Sequence, residues 1–141
     1  MKKKTVLAAL LLCAGASLCF AGPEPNMREG LWEITSSMEM PGMPAMPPMK
    51  HTQCLTKKDM VPQSQEKNQD CKITQTSQSG NTVTWSMKCS GEEGAMEGTG
   101  KVTYSGDTFQ GTMTMSMPAP EQGGKMQMTQ RMTGRRIGDC R

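Results

Sequence analysis

The sequence has 141 residues, with 16 Lys and Arg, 13 Asp and Glu, 35% hydrophobic residues and only 4% aromatic ones. This length suits a single domain, and a formal net charge of +3 gives no basis for predicting nucleic-acid binding. The excess of positive charge comes from Lys2, Lys3 and Lys4, because the rest of the chain carries 13 basic and 13 acidic residues.

The chain begins like an exported protein. Three lysines precede an apolar run from Val6 to Leu12, and the small residue Ala21 follows. This order is typical of a secretory signal peptide, and the run is shorter than the roughly 20 residues that span a bilayer. We therefore predict a signal peptide over 1–21 with cleavage near Ala21, no membrane span, and a periplasmic or secreted single β domain over 22–141.

Four cysteines follow the predicted cleavage point, and an even number is typical of a disulfide framework in an exported protein. No Cys-x-x-Cys spacing occurs, so neither a thiol oxidoreductase nor a zinc knuckle is indicated. Three pairings are possible. We favour Cys54 with Cys71 and Cys89 with Cys140, because the first closes a polar, turn-rich loop and the second holds the chain end.

From Gly30 onward, hydrophobic residues recur at every second position, which is typical of half-buried β-strands. Turn signals separate the runs, at SGN 79–81, SGD 105–107 and PAPEQGG 118–124. We predict an all-β fold, an antiparallel meander of about six or seven strands that forms an open barrel or a sandwich held by two disulfides. Helix is scarce, and its one candidate is TKKDMV at 56–61.

Strand register can be predicted where the turns are short. If Gly106 and Asp107 form a two-residue turn, the residues of the two flanking strands pair across it. Several of these pairs place a small residue opposite a large one, which packs well. The predicted pairs are Tyr104 with Phe109, Val102 with Gly111, Gly100 with Met113, Met115 with Met128, and Met117 with Met126. One sheet face then carries a methionine cluster. Methionine can serve as packing material where branched aliphatic residues are few.

Several motifs resemble one known family. They are REGLWEIT at 28–35, QCLT at 53–56, Cys71, Cys89 and MTGRRIGDC at 132–140. Together they resemble the small exported bacterial proteins of domain-of-unknown-function family 3617. The resemblance implies export, a β-rich domain and the cysteine framework, and it implies no activity because that family has none assigned.

A search for catalytic groups finds little. His51 is the only histidine, so any Ser/His/Asp or Cys/His arrangement depends on it, and its neighbour Cys54 is expected to be disulfide-bonded. Glu92 and Glu93 are adjacent, and adjacent strand residues point to opposite faces. No phosphate-binding glycine loop lies between a strand and a helix. We predict that the protein is not an enzyme.

The segment MEMPGMPAMPPMK, residues 38–50, is rich in methionine and proline. Its prolines favour a polyproline II helix with three residues per turn, which places methionines on one face roughly 9 Å apart. The four are Met40, Met43, Met46 and Met49. This spacing favours an extended apolar surface, which either packs across the sheet or docks a partner, over a single closed metal site.

Three functions stay open at this point. The first is a periplasmic binding or envelope-interaction module whose ligand or envelope partner the sequence does not name. The second is Cu(I) binding, because thioethers suit soft metals and thiols in that compartment are oxidised. Its candidate ligands are Met40, Met43, Met46, Met49 and His51, with Met113, Met115, Met126 and Met128 as a second cluster. The third is a carrier of a small apolar or amphiphilic ligand.

Overall fold

The computed structural model describes residues 22–63, 70–91, 94–119, 121 and 123–141. The predicted signal peptide over 1–21 and the pair Glu92 and Glu93 lie outside the described residues. Within the described ranges, no helix is long and apolar enough to cross a membrane.

Seven antiparallel strands form one open sheet in the order β2-β1-β7-β6-β5-β4-β3. The strands are β1 (Gly30–Glu39), β2 (Met49–Leu55), β3 (Asp70–Ser79), β4 (Thr82–Gly91), β5 (Gly94–Tyr104), β6 (Thr108–Ala119) and β7 (Gly124–Gly138). The all-β prediction and the number of strands are confirmed. Because the sheet is single, the open-barrel alternative describes it and the two-sheet sandwich does not.

The strand order combines a meander with a hairpin. Strands β3 to β7 pair in sequence, and β1 then pairs with β7 while β2 forms the outer edge beyond it. The chain therefore leaves β2 at one edge of the sheet and enters β3 at the opposite edge. Residues 56–63 are the described part of the connection between these two strands.

The core lies on one face of the sheet, which we call the concave face. Residues of β1 and β4 alternate between buried and more exposed positions, as strands with one covered face do. The rings of Trp32 on β1 and Tyr104 on β5 lie 6.0 Å apart, although two strands separate β1 from β5. In a flat sheet those strands would be about 14 Å apart, so the sheet curls around its core.

The predicted hairpin registers are confirmed. Tyr104 pairs with Phe109 and Met115 with Met128, as the two-residue turn and the alternation required. Two further glycines allow large rings to lie flat on the sheet. Trp85 covers its partner Gly100, and Phe109 covers Gly134, so that a Cβ atom at either glycine would overlap the ring.

The predicted disulfide pairing is wrong. Cys71 bonds Cys89, and Cys54 bonds Cys140. The first pair sits directly opposite on β3 and β4, with Cα atoms 4.0 Å apart. The second pair is brought together by β1. Leu31 on β1 pairs with Cys54 on one side and with Gly138, the last residue of β7, on the other. Strand order, not the polarity of the intervening loop, sets both bonds.

The predicted helix at 56–61 is also wrong. The amide of Asp59 donates to the carbonyl of Thr56 at 3.0 Å, which makes a tight turn with no helix after it. Beyond that turn Val61 and Pro62 are buried, and Val61 belongs to the core of the concave face. We call residues 56–63 the strap, because this segment follows β2 and packs against the core of the concave face.

Tyr104 fixes the strap to the sheet. Its hydroxyl donates to the carbonyl of Met60 at 2.5 Å, and its ring is fully buried against Trp32 and Phe109. Burial raises the pKa of Tyr104 above its ordinary value, and the negative charge of Asp59 raises it further. The phenol is therefore held in its protonated, hydrogen-bonding form.

Alkaline titration provides a test of this anchor. Because the folded-state pKa is raised, the folded protein keeps a proton that the unfolded chain loses near pH 10, so stability falls as pH rises above about 10. Tyr104 is the only tyrosine, so tyrosinate absorbance reports it alone. We expect no ionisation near pH 10 while circular dichroism stays native, and a shallower alkaline loss of stability in Tyr104→Phe. Ionisation near pH 10 in folded protein would contradict the anchor.

Candidate ligand-binding site

Cross-strand pairing gathers methionines on the concave face. Met115 on β6 lies between Met128 on β7 and Gly98 on β5, and Gly98 in turn pairs with Met87 on β4. Gly98 has no side chain, and a Cβ atom there would lie 3.1 Å from Cγ of Met87 and 3.5 Å from Cγ of Met115. The two methionines therefore extend over the glycine from both sides.

These methionines line a cavity of about 250 Å³ on the concave face. Seven methionines from five strands form its walls, and we call it the methionine cavity. They are Met38, Met87, Met96, Met113, Met115, Met117 and Met128. The Cys71 to Cys89 disulfide closes the wall towards β3, and Pro62 of the strap lies over one side.

Polar groups enter the methionine cavity at two depths. Gln130 on β7 is only 4% exposed and lines the cavity between Met113 on β6 and Met38 on β1, its two register partners. Gln63 and Asp70 are exposed and form part of the rim. An apolar body with one hydrogen-bonding group would match a thioether wall that contains a single buried amide.

The strap positions one side of this rim. The amide of Gln63 donates to the side-chain carbonyl of Gln53 on β2 at 3.2 Å, and the Tyr104 anchor holds Met60 three residues earlier. Among the described residues, no group of three or more His, Cys, Asp or Glu side chains could hold a metal ion. The groups that line the cavity below its rim are therefore mainly thioethers and the Gln130 amide.

The chain matches the model of a known protein family. The model of the family described as "Protein of unknown function (DUF3617)" matches residues 27–140. The chain belongs to the DUF3617 family. This match confirms the resemblance that the sequence motifs indicated, and it covers every strand of the sheet. Searches of curated proteins and of solved structures found no match.

In this DUF3617 chain the methionine and proline segment forms the loop between β1 and β2. The amide of Met43 donates to the carbonyl of Met40 at 3.2 Å around Pro41 and Gly42, with Gly42 at φ 80°. A positive φ at the second central residue marks a type II turn, which ends the expected polyproline face after Met40. The loop does not pack across the sheet, because Met43 and Met46 are 56% and 37% exposed.

The structure divides the first set of predicted copper ligands. Met40, Met43 and Met46 belong to the loop. Met49 and His51 are two residues apart on β2, so they lie on the same strand face as the buried Leu55. The Nε2 atom of His51 is buried without a hydrogen-bond partner among the described residues. Only these last two members of the set therefore come together on the sheet.

The second predicted cluster is closer to the observed site. Met113, Met115 and Met128 all line the methionine cavity, and Met126 does not. This predicted ligand cluster did not include four further methionines and the buried amide that line the cavity. These are Met38, Met87, Met96, Met117 and Gln130. The predicted pairing with Met126 places Met117 on the methionine face, and strand parity places Met87 on the face of Trp85. Neither signal predicts the curl that brings five strands to one cavity.

Proposed function

We propose that this protein is a binding module of the cell envelope that holds a small, largely apolar ligand in the methionine cavity. The observation that carries the proposal is a 250 Å³ cavity whose walls are seven methionines and whose depth contains one amide. The two disulfides support an oxidising compartment outside the cytoplasm. That the protein is exported by a signal peptide and is not an enzyme stays a prediction from the sequence.

The size of the cavity limits the ligand. An engineered apolar cavity of about 150 Å³ holds benzene, whereas drug-sized ligands occupy pockets of about 300 to 1,000 Å³. The methionine cavity lies between these limits. It fits a molecule of one substituted ring or an equivalent short aliphatic body.

The chemistry of the walls favours an aromatic ring with one polar substituent. Methionine has a flexible side chain, so its sulfur can move to fit a ligand, and contacts between sulfur and an aromatic ring are favourable by about 0.3 to 1.5 kcal/mol. The Gln130 carboxamide can donate or accept one hydrogen bond at depth. A phenol should therefore bind better than the matching hydrocarbon.

Calorimetric melting with toluene and with para-cresol tests the proposal. A ligand that binds only the native state stabilises it by RT ln(1 + L/Kd), where L is the free ligand concentration, so at equal concentration the tighter ligand raises the melting temperature more. We expect both probes to raise it, para-cresol more than toluene. Gly98→Leu, which puts a side chain between Met87 and Met115, should abolish both shifts.

The matched control adds the same side chain to the opposite face. Thr99 follows Gly98 on β5 and is exposed, so Thr99→Leu should keep both shifts. Circular dichroism of both variants establishes that they fold. The proposal is wrong if neither probe stabilises the native protein, or if folded Gly98→Leu responds as the native protein does.

A further inference from the structure

Two buried polar atoms without hydrogen-bond partners lie together at the β1 and β2 edge of the sheet. They are Oγ of Ser36 and Nε2 of His51, and no described residue satisfies either. Ser36 is 3% exposed. Unpaired buried polar groups are costly by about 1 to 3 kcal/mol each, so a ligand, ion or water is the expected partner. The third such atom among the described residues, Nε1 of Trp85, lies on β4, which three strands separate from β1 in the sheet.

Two thioethers flank this position. Ser36 pairs with Met49 on β2 and with Met132 on β7, so the three residues form one row across the concave face. His51 lies two residues beyond Met49 on the same strand face. About 10 Å separates the backbones of Met49 and Met132, and only the short side chain of Ser36 stands between them. Flexible methionine side chains can close over that gap.

We propose that His51, Met49 and Met132 bind one Cu(I) ion at this edge of the concave face. The site is separate from the methionine cavity, whose lining includes none of the three. An imidazole nitrogen and two thioether sulfurs are ligands that suit Cu(I). The ion takes up the unpaired Nε2 of His51, while Met49, 52% exposed, gives access from solvent.

The surroundings favour a soft monovalent ion over a hard divalent one. Charged neighbours on these strands point away, since Lys50 and Glu33 form an ion pair across the other face of the sheet at 3.8 Å. Cys54 and Cys140 are bonded to each other, so no nearby thiolate competes as a ligand. Among the described residues of these strands, the position therefore offers one imidazole nitrogen and two thioethers, and no carboxylate faces it.

Competition with a chromophoric Cu(I) chelator, in a reductant that leaves the disulfides intact, tests this site. We expect one Cu(I) per native chain. His51→Leu and the double variant Met49→Leu with Met132→Leu should each weaken binding by about 100-fold or more, since even changes outside the coordinating atoms cost about 10- to 100-fold. Leucine keeps the apolar bulk, so both variants should fold, as circular dichroism can establish.

Two further variants locate the ion. The triple variant Met40→Leu, Met43→Leu and Met46→Leu removes the loop thioethers and should keep native affinity. The double variant Met87→Leu with Met115→Leu, which removes two thioethers from the methionine cavity, should also keep native Cu(I) affinity. No Cu(I) binding by the native protein, retention of binding in His51→Leu, or loss in either control would overturn the proposal. Toluene binding measured on His51→Leu should be unchanged, so failure here leaves the proposed cavity function standing.

Discussion

Serine replacement of both Cys54 and Cys140 is expected to lower the free energy of unfolding by about 4.5 kcal/mol, because this disulfide closes a long loop in the unfolded chain. The two cysteines are 86 residues apart in sequence. The Cys71 to Cys89 bond spans only 18 residues, and on the same chain-entropy account its removal costs about 3 kcal/mol. Urea denaturation of the two double-serine variants measures both values.

The long-range bond has a local role as well. Strand β2 is an edge strand that pairs with β1 alone among the described strands, and the disulfide of Cys54 links its end to the chain beyond β7. In the double variant Cys54→Ser with Cys140→Ser, the rate of amide hydrogen exchange should therefore rise more in β2 than in the other strands. Non-reducing peptide mapping of the native protein should recover Cys54 with Cys140 and Cys71 with Cys89. A peptide that joins Cys54 to Cys71, or a larger loss from the short-loop variant, would contradict these expectations.

Local pattern was enough to predict register. Turn residues at 105–107 and the alternation on either side of them determine that Tyr104 meets Phe109, because a shift by one residue would turn every side chain to the wrong face. The same alternation gave Met115 opposite Met128. These contacts join neighbouring strands along the chain, so short-range signals carry them.

The pairing of the cysteines could not be predicted from local pattern, because it depends on the order of the strands in the sheet. Cys54 reaches Cys140 because β1 lies between β2 and β7, which is a choice of strand order across the whole sheet. No residue near either cysteine signals that order. The methionine cavity is similar, because Met38 on β1 and Met96 on β5 line one space only when the sheet curls.

The candidate sites follow from how this chain builds its core. Methionines take the place of branched aliphatic residues over half of the concave face, while Trp32, Tyr104 and Phe109 pack together at the other end. The three aromatic rings pack closely against one another at that end of the core. Flexible thioethers leave room at theirs, so the proposed ligand site and the proposed copper site both lie where methionine replaces a more rigid side chain.

Trp85→Ala should cost about 3 to 5 kcal/mol, because it removes a large ring that is 3% exposed and leaves a cavity. Gly100→Ala should cost about 3 kcal/mol for the opposite reason, since its Cβ atom would overlap the Trp85 ring in a packed core. His51→Ala should cost far less than Trp85→Ala, because His51 is only partly buried on an edge strand.

The two changes together should show strong coupling. Once Trp85 is alanine, the Cβ atom at position 100 has space, so the double variant should be about as stable as Trp85→Ala alone. The two costs should therefore fall short of additivity by about 3 kcal/mol, the cost of Gly100→Ala in the native background. Gly98→Ala serves as the control, because its nearest neighbour is the flexible side chain of Met87 at 3.1 Å. That change should cost less than about 1 kcal/mol with or without Trp85. Additive costs at positions 85 and 100, measured by urea denaturation, would show that the ring does not cover the glycine in solution.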